Sequence, residues 1–115
     1  MQKREKAVIF KGEPWTLVGP ELKAGDKAPD FKCVSSTLNL VGIADTPAKP
    51  RLFSVVPSLD TPVCSQQTKK FEESLASMKD KIACYTISLD LPFAQKRFCA
   101  AEGCASLTTL CFQYR

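Results

Sequence analysis

The chain has 115 residues, 44% hydrophobic and 24% charged, the size and composition of one small domain with a modest core. Its net charge of +4 is scattered rather than gathered into a basic patch or interleaved with aromatic platforms, which argues against nucleic acid as a partner, and no apolar run approaches the ~20 residues that span a bilayer. There is no histidine and there are six cysteines (Cys33, Cys64, Cys84, Cys99, Cys104 and Cys111), so imidazole acid–base chemistry, Ser-His and Cys-His pairs and His-ligated metals are excluded and thiol chemistry is left.

In chain order, Ala7–Phe10 and Trp15–Val18 flank a Lys11-Gly12-Glu13-Pro14 turn and read as a β-hairpin. A loop from Gly25 to Phe31 leads to short strand-like stretches at 32–34 and 38–41, and a turn follows at 45–50. Arg51-Leu52-Phe53-Ser54-Val55-Val56 is a nearly continuous apolar run, the pattern of a central buried strand. After a loop from Pro57 to Thr61, Pro62 suits the first position of a helix with Thr61 as its N-cap. Val63, Gln67, Phe71, Leu75 and Met78 recur at helical spacing, predicting one buried face and a helix running to about Lys79. The 82–88 run is a second buried strand. Asp90 is placed as the cap of another helix, with Pro92 in its first turn and Gly103 at its end, and 107–110 starts a further strand. Strand, helix and strand in succession imply a parallel pair joined by a crossover. The whole of 1–115 reads as a single α/β domain.

The charged N-terminus is followed by no long apolar segment, so no signal peptide and a cytoplasmic setting are expected. In that setting the cysteines read as catalytic or redox groups rather than a disulfide framework. Cys64 falls on the third residue of the first helix, where backbone amides lack intrahelical acceptors and an anion is favoured. A thiolate is such an anion and is the nucleophilic form of the side chain. Asp60 would oppose it if turned inward and is expected to face solvent. Thr61, three residues ahead, offers a hydroxyl to the sulfur or to a bound oxygen, and Pro57, without an amide hydrogen, can cover the site. Cys33 and Cys84 read as core, as do Phe93 and Phe98. Cys104 and Cys111 have no evident partner, and three cysteines without a knuckle or a histidine make a poor zinc site, so no metal or other cofactor is expected.

Pro57-Ser58-Leu59-Asp60-Thr61-Pro62-Val63-Cys64 resembles the P-x-x-x-T-x-x-C signature of the peroxiredoxins. The run from Phe53 to Cys64, the Gly25–Phe31 segment and, most specifically, Asp90-Leu91-Pro92-Phe93-Ala94-Gln95-Lys96-Arg97-Phe98-Cys99-Ala100-Ala101-Glu102-Gly103 resemble the bacterial thiol peroxidase branch, the atypical two-cysteine enzymes. The resemblance implies a thioredoxin-like fold with an N-terminal β-hairpin. It implies peroxide as substrate, Cys64 as the peroxidatic and Cys99 as the resolving cysteine, with Thr61 and Pro57 at the site. It further implies an intrachain disulfide, thioredoxin as reductant and homodimers among full-length members. Bringing two thiols on different helices into disulfide geometry implies local unwinding around both. The family continues with more strands, a final helix and an active-site arginine. None of Arg4, Arg51, Arg97 and Arg115 matches that arginine's motif position, so the later elements are expected to be missing, leaving a sheet edge and apolar helix faces uncovered. A thiol-disulfide redox sensor or a non-catalytic fragment on the same scaffold are the competing readings. The first is disfavoured because Thr61 stands where a C-x-x-C pair would carry its first cysteine.

Overall fold

The computed structural model describes residues 2–112. Two strands, β1 (Lys3–Phe10) and β2 (Glu13–Val18), form the expected hairpin as a sheet of their own. The turn is tighter than the sequence suggests. Phe10 pairs with Glu13, so only Lys11 and Gly12 lie outside the ladder, both with positive φ (51° and 80°), the two-residue geometry whose twist matches that of the strands. Pro14 therefore sits in β2. Phe10 and Trp15 meet edge to face at 5.9 Å on this exposed ribbon.

The main sheet holds β3 (Cys33–Val34), β4 (Leu40–Val41), β5 (Arg51–Val55), β6 (Ala83–Ser88) and β7 (Leu107–Cys111). Its order is β4-β3-β7-β6-β5. β5, β6 and β7 are mutually parallel, and β3 runs antiparallel to both β7 and β4. The crossovers are α1 (Pro62–Leu75), which continues as a 3-10 turn over Ala76–Met78, and α2 (Pro92–Glu102). β5 was expected at the centre from its apolar run. Among the described residues it is an edge strand paired only with β6, and Val55 at its end is 71% exposed.

The two faces of the sheet differ in chemistry. Away from the helices, Cys33, Ile87 and Leu110 form a buried cluster extended by Phe31, Phe53 and Tyr85. The Phe53 ring stacks on Tyr85 at 5.4 Å and meets Phe31 edge-on at 5.3 Å. An apolar cleft of about 700 Å³ opens beside Phe31, Phe53 and Ile87. On the helix side, the lower ends of the strands carry a second apolar cluster of Leu75, Cys84 and Leu107, but the upper ends are polar. Ser54, Thr86, Ser88 and Thr109 are buried there, opposite the fully buried Thr68 of α1 and Gln95 of α2.

The expected face of α1 holds in its lower half, where Leu75 is buried and Phe71 packs on its cluster, and shifts where the polar seam begins. Thr68 and Leu75 are the buried residues of α1, while Val63 is 73% exposed, Met78 is at the surface, and Gln67 turns its amide to donate to Ser54 Oγ at 2.9 Å. Helical periodicity was right, but the buried stripe is rotated toward a hydroxyl that apolar patterning does not count. On α2, Phe93 is exposed rather than core, and Gln95 occupies the buried position, donating to Ser88 Oγ and to the Leu110 carbonyl.

Gly103 ends α2 with φ 74°. A Cβ added there would meet nothing within 4 Å, so the cost of a side chain is wholly that of the left-handed backbone. Gly103→Ala is expected to lower stability by about 1–2 kcal/mol, read as a lower urea midpoint at unchanged m-value, with Gly103→Asn losing less.

Candidate active site at the head of the first crossover helix

The loop between β5 and α1 arrives at Thr61, whose extended backbone makes it the N-cap as expected, and Pro62 opens the helix. The first intrahelical bond runs from Ser65 N–H to the Thr61 carbonyl at 2.9 Å. The amides of Val63 and Cys64 precede it and lie in the part of the turn that has no helical acceptors. Cys64 is half-buried, and its carbonyl accepts a 2.8 Å bond from the Thr68 hydroxyl in the turn below. Asp60 is exposed, as expected. Pro57 is also exposed, and it lines the apolar cleft at the rim of the sheet.

Thr61 caps by position and not by side chain. Its hydroxyl donates to the Ser58 carbonyl at 2.8 Å, across the loop. The hydroxyl proton is thereby committed, and the oxygen lone pairs are what it presents outward.

Asp90 does not cap α2. Leu91 holds the N-cap position, with no side-chain cap. The Asp90 carboxylate instead accepts from Leu59 N–H (2.7 Å), Ser58 Oγ (2.7 Å) and Ser88 Oγ (2.8 Å). It thus ties the loop before Cys64 to the end of β6. Burial pushes its carboxyl up, but the hydrogen bonds from Leu59, Ser58, Ser88 and its own amide together outweigh burial and hold it below the ordinary value of 3.8. A cap and a clip draw on the same residue type before the same helix, so the sequence alone does not separate them.

Cys99 lies on α2, half-buried, and is not joined to Cys64; all six cysteines are free thiols. Burial is the largest influence on its thiol and raises it above the ordinary value. The negative charge of Glu72 on α1 raises Cys99, Cys104 and Cys84 further. Glu72 also accepts the Ser106 N–H at 2.7 and 2.9 Å, and Lys69 pairs with Glu102 at 3.1 Å, so the two helices lie side by side. Glu72 stands two turns beyond Cys64, about 12 Å of helix rise. Cys99 is therefore level with the lower part of α1 rather than with Cys64. Cys33 and Cys84 are buried, as expected, and Cys111 joins them. Among the described residues no group of three His, Cys, Asp or Glu side chains is placed to hold a metal ion, and no helix is long and apolar enough to cross a membrane.

A family model described as Redoxin matches residues 23–110, from the loop before β3 through nearly all of β7. The chain belongs to the redoxin family. Among the relatives of this redoxin chain are the thiol peroxidases of Listeria monocytogenes, 56% identical over 103 residues, and Halalkalibacterium halodurans, 50% identical over 104 residues. Each alignment takes in 90% of this chain and 62% of the relative, so the chain spans about three-fifths of the length of these curated relatives. The crystal structure of a peroxiredoxin-like protein from Aquifex aeolicus superposes with a TM-score of 0.81 at 45% identity, over 91% of this chain and 61% of that one. A thiol peroxidase from Chromobacterium violaceum, 20% identical with a TM-score of 0.71 over 88% of this chain and 59% of that one, shares the fold. The fold is thus the thioredoxin-like one of the peroxiredoxins, as the sequence resemblance implied.

Proposed function

We propose that this chain carries the peroxide-reducing half-site of a thiol peroxidase, with Cys64 as the nucleophile. The observation that carries the reading is the position of Cys64 as the third residue of α1, before the first helical N–H that has an acceptor and just after a loop fixed by Asp90. The amides of Val63 and Cys64 favour negative charge there. In the reaction, the Cys64 thiolate attacks the terminal oxygen of a hydroperoxide. An S–O bond forms, the O–O bond breaks, and the departing oxygen leaves as hydroxide or alkoxide and takes a proton from water. Thr61, its own proton held by Ser58, orients the peroxide by accepting its O–H, and the two amides stabilise the charge on the departing oxygen. Pro57 shields the site on the sheet side.

The product is a sulfenic acid at Cys64. Cys99 resolves it. An S–S bond forms to Cys64, and the hydroxyl leaves with the Cys99 proton as water. Because Cys99 stands level with Glu72, the first turn of α1 and the end of α2 must unwind to bring the sulfurs together. A cytoplasmic thioredoxin then returns the disulfide to thiols, and the active unit is a homodimer. The exposed Leu89, Leu91 and Phe93, beside the Pro57 loop to which Leu89 N–H is bonded at 3.3 Å, offer an apolar surface for either contact.

Two measurements test the site. One equivalent of hydrogen peroxide, followed by a sulfenic-acid trap, is expected to label Cys64 alone of the six cysteines. Even labelling across several cysteines would rule the reading out. Thr61→Val, which keeps the shape and removes the acceptor, is expected to slow the peroxide step about 10²-fold with little change in the urea midpoint.

A further inference from the structure

Gly103, in its left-handed conformation, folds the chain back over the end of α2, so that its own N–H and that of Cys104 both bond the Cys99 carbonyl, at 2.8 and 3.2 Å. This is the helix-ending motif in which the residue after the glycine packs its side chain on the residue that supplies the carbonyl. Here both residues are cysteines, so the side chains that this helix ending brings together are two thiols. The backbone bond from Cys104 N–H to the Cys99 carbonyl draws the two residues together, and a disulfide needs Cα atoms no more than about 4.4–6.8 Å apart. Cys33 and Cys111 lie on paired strands but on opposite faces of the sheet and are 1% and 2% exposed, whereas Cys99 and Cys104 are half-buried at a helix end.

We propose that Cys99 and Cys104 are a dithiol–disulfide pair, and that Cys104 displaces Cys64 from Cys99 in a second exchange, leaving the oxidised chain as the Cys99–Cys104 disulfide. This rests on the reading of Cys64 given above. The Cys104 sulfur attacks the Cys99 sulfur of the Cys64–Cys99 disulfide. The Cys99–Cys104 bond forms, the Cys64–Cys99 bond breaks, and the proton from Cys104 passes to Cys64. The two electrons delivered to the peroxide thus come from the Cys99/Cys104 pair, and Cys64 is restored for another cycle. The exchange runs downhill because the Cys64–Cys99 bond holds two helix ends unwound, while the new bond closes a far shorter loop next to a turn that already exists. Burial holds both thiols protonated in the folded reduced form, so the exchange awaits the same unwinding that admits Cys99 to Cys64.

The test is disulfide mapping of the full chain after one equivalent of hydrogen peroxide and an acid quench. Cleavage after Arg97 and Glu102 separates Cys99 from Cys104, and fragment ions separate Cys104 from Cys111. The expected course is a Cys64–Cys99 species that decays into Cys99–Cys104 with Cys64 free, and in Cys104→Ser a Cys64–Cys99 species that persists. A wild-type chain that stops at Cys64–Cys99 overturns the relay and leaves the peroxide reading standing. A second arm needs no peroxide. Cys64→Ser equilibrated with glutathione and its disulfide is expected to form Cys99–Cys104, and failure to form it overturns the pair whatever Cys64 does. Sulfenic-acid trapping that bypasses Cys64 overturns the peroxide reading instead.

Discussion

Cys64→Ser is expected to remove peroxide consumption by the chain at least about 10⁴-fold, the scale on which deleting a nucleophile acts, while moving the urea midpoint little. The serine hydroxyl fits the same half-buried space at the start of α1. It has no accessible anionic form at neutral pH and no comparable affinity for peroxide oxygen, so the amides of Val63 and Cys64 have no charge to stabilise. Stopped-flow loss of hydrogen peroxide under reducing conditions measures the effect. A Cys64→Ser chain that consumes peroxide within tenfold of the parent would place the nucleophile elsewhere. Cys99→Ser separates the steps, since it leaves the first turnover and stops the second in the absence of an external thiol.

Asp90→Ala is expected to cost about 3 kcal/mol, because three donors that met a carboxylate lose it together: Leu59 N–H, Ser58 Oγ and Ser88 Oγ. The same change frees the loop that presents Cys64, so the peroxide rate is expected to fall although Asp90 touches no reacting atom. The pH dependence fixes the sign. The native carboxyl sits below its ordinary value of 3.8, so its contribution is complete above the unfolded value and is lost as the pH falls through the native one. Urea midpoints of the parent and of Asp90→Asn are expected to differ at neutral pH, to converge below about pH 4, and to meet once the pH lies under the native value. A difference that stays constant down to pH 2 would show that the clip is not ionic.

Much of the layout was legible in the residues because it follows from local rules. Gly12 and the flanking β-formers dictate the hairpin, Pro62 after Thr61 dictates where α1 starts, and Gly103 dictates where α2 stops. The parallel pairing of β5 and β6 follows from their order around a helix. Local rules fail where the decisive partner is distant in sequence. Asp90 precedes a helix and looks like its cap, but its partners Ser58 and Leu59 lie across the sheet end, some thirty residues away. The apolar run of β5 cannot say how many neighbours the strand has. Gln95 was invisible as an interface residue, and Gln67 was placed on the buried face without its role, because their value there is directional bonding to Ser88 and Ser54, not hydrophobicity. For the site, the position of Cys64 could be read from the helix start alone. The contact of Cys104 with Cys99 was missed, although the Gly103-Cys104 sequence at a helix end carries its signal.

The hydroxyl- and amide-lined seam beneath the upper halves of the two helices bears on how readily they move. Where α1 and α2 rest on this seam, lifting them exchanges the Gln67–Ser54 and Gln95–Ser88 bonds for bonds to water at small net cost. Farther down, Leu75 on the Leu107 cluster would have to expose hydrocarbon to do the same. The molecule is therefore anchored at one end and loosely latched at the other, and the latched end is the one bearing Cys64. Amide hydrogens of 63–68 should thus exchange with solvent through openings that leave 71–75 protected.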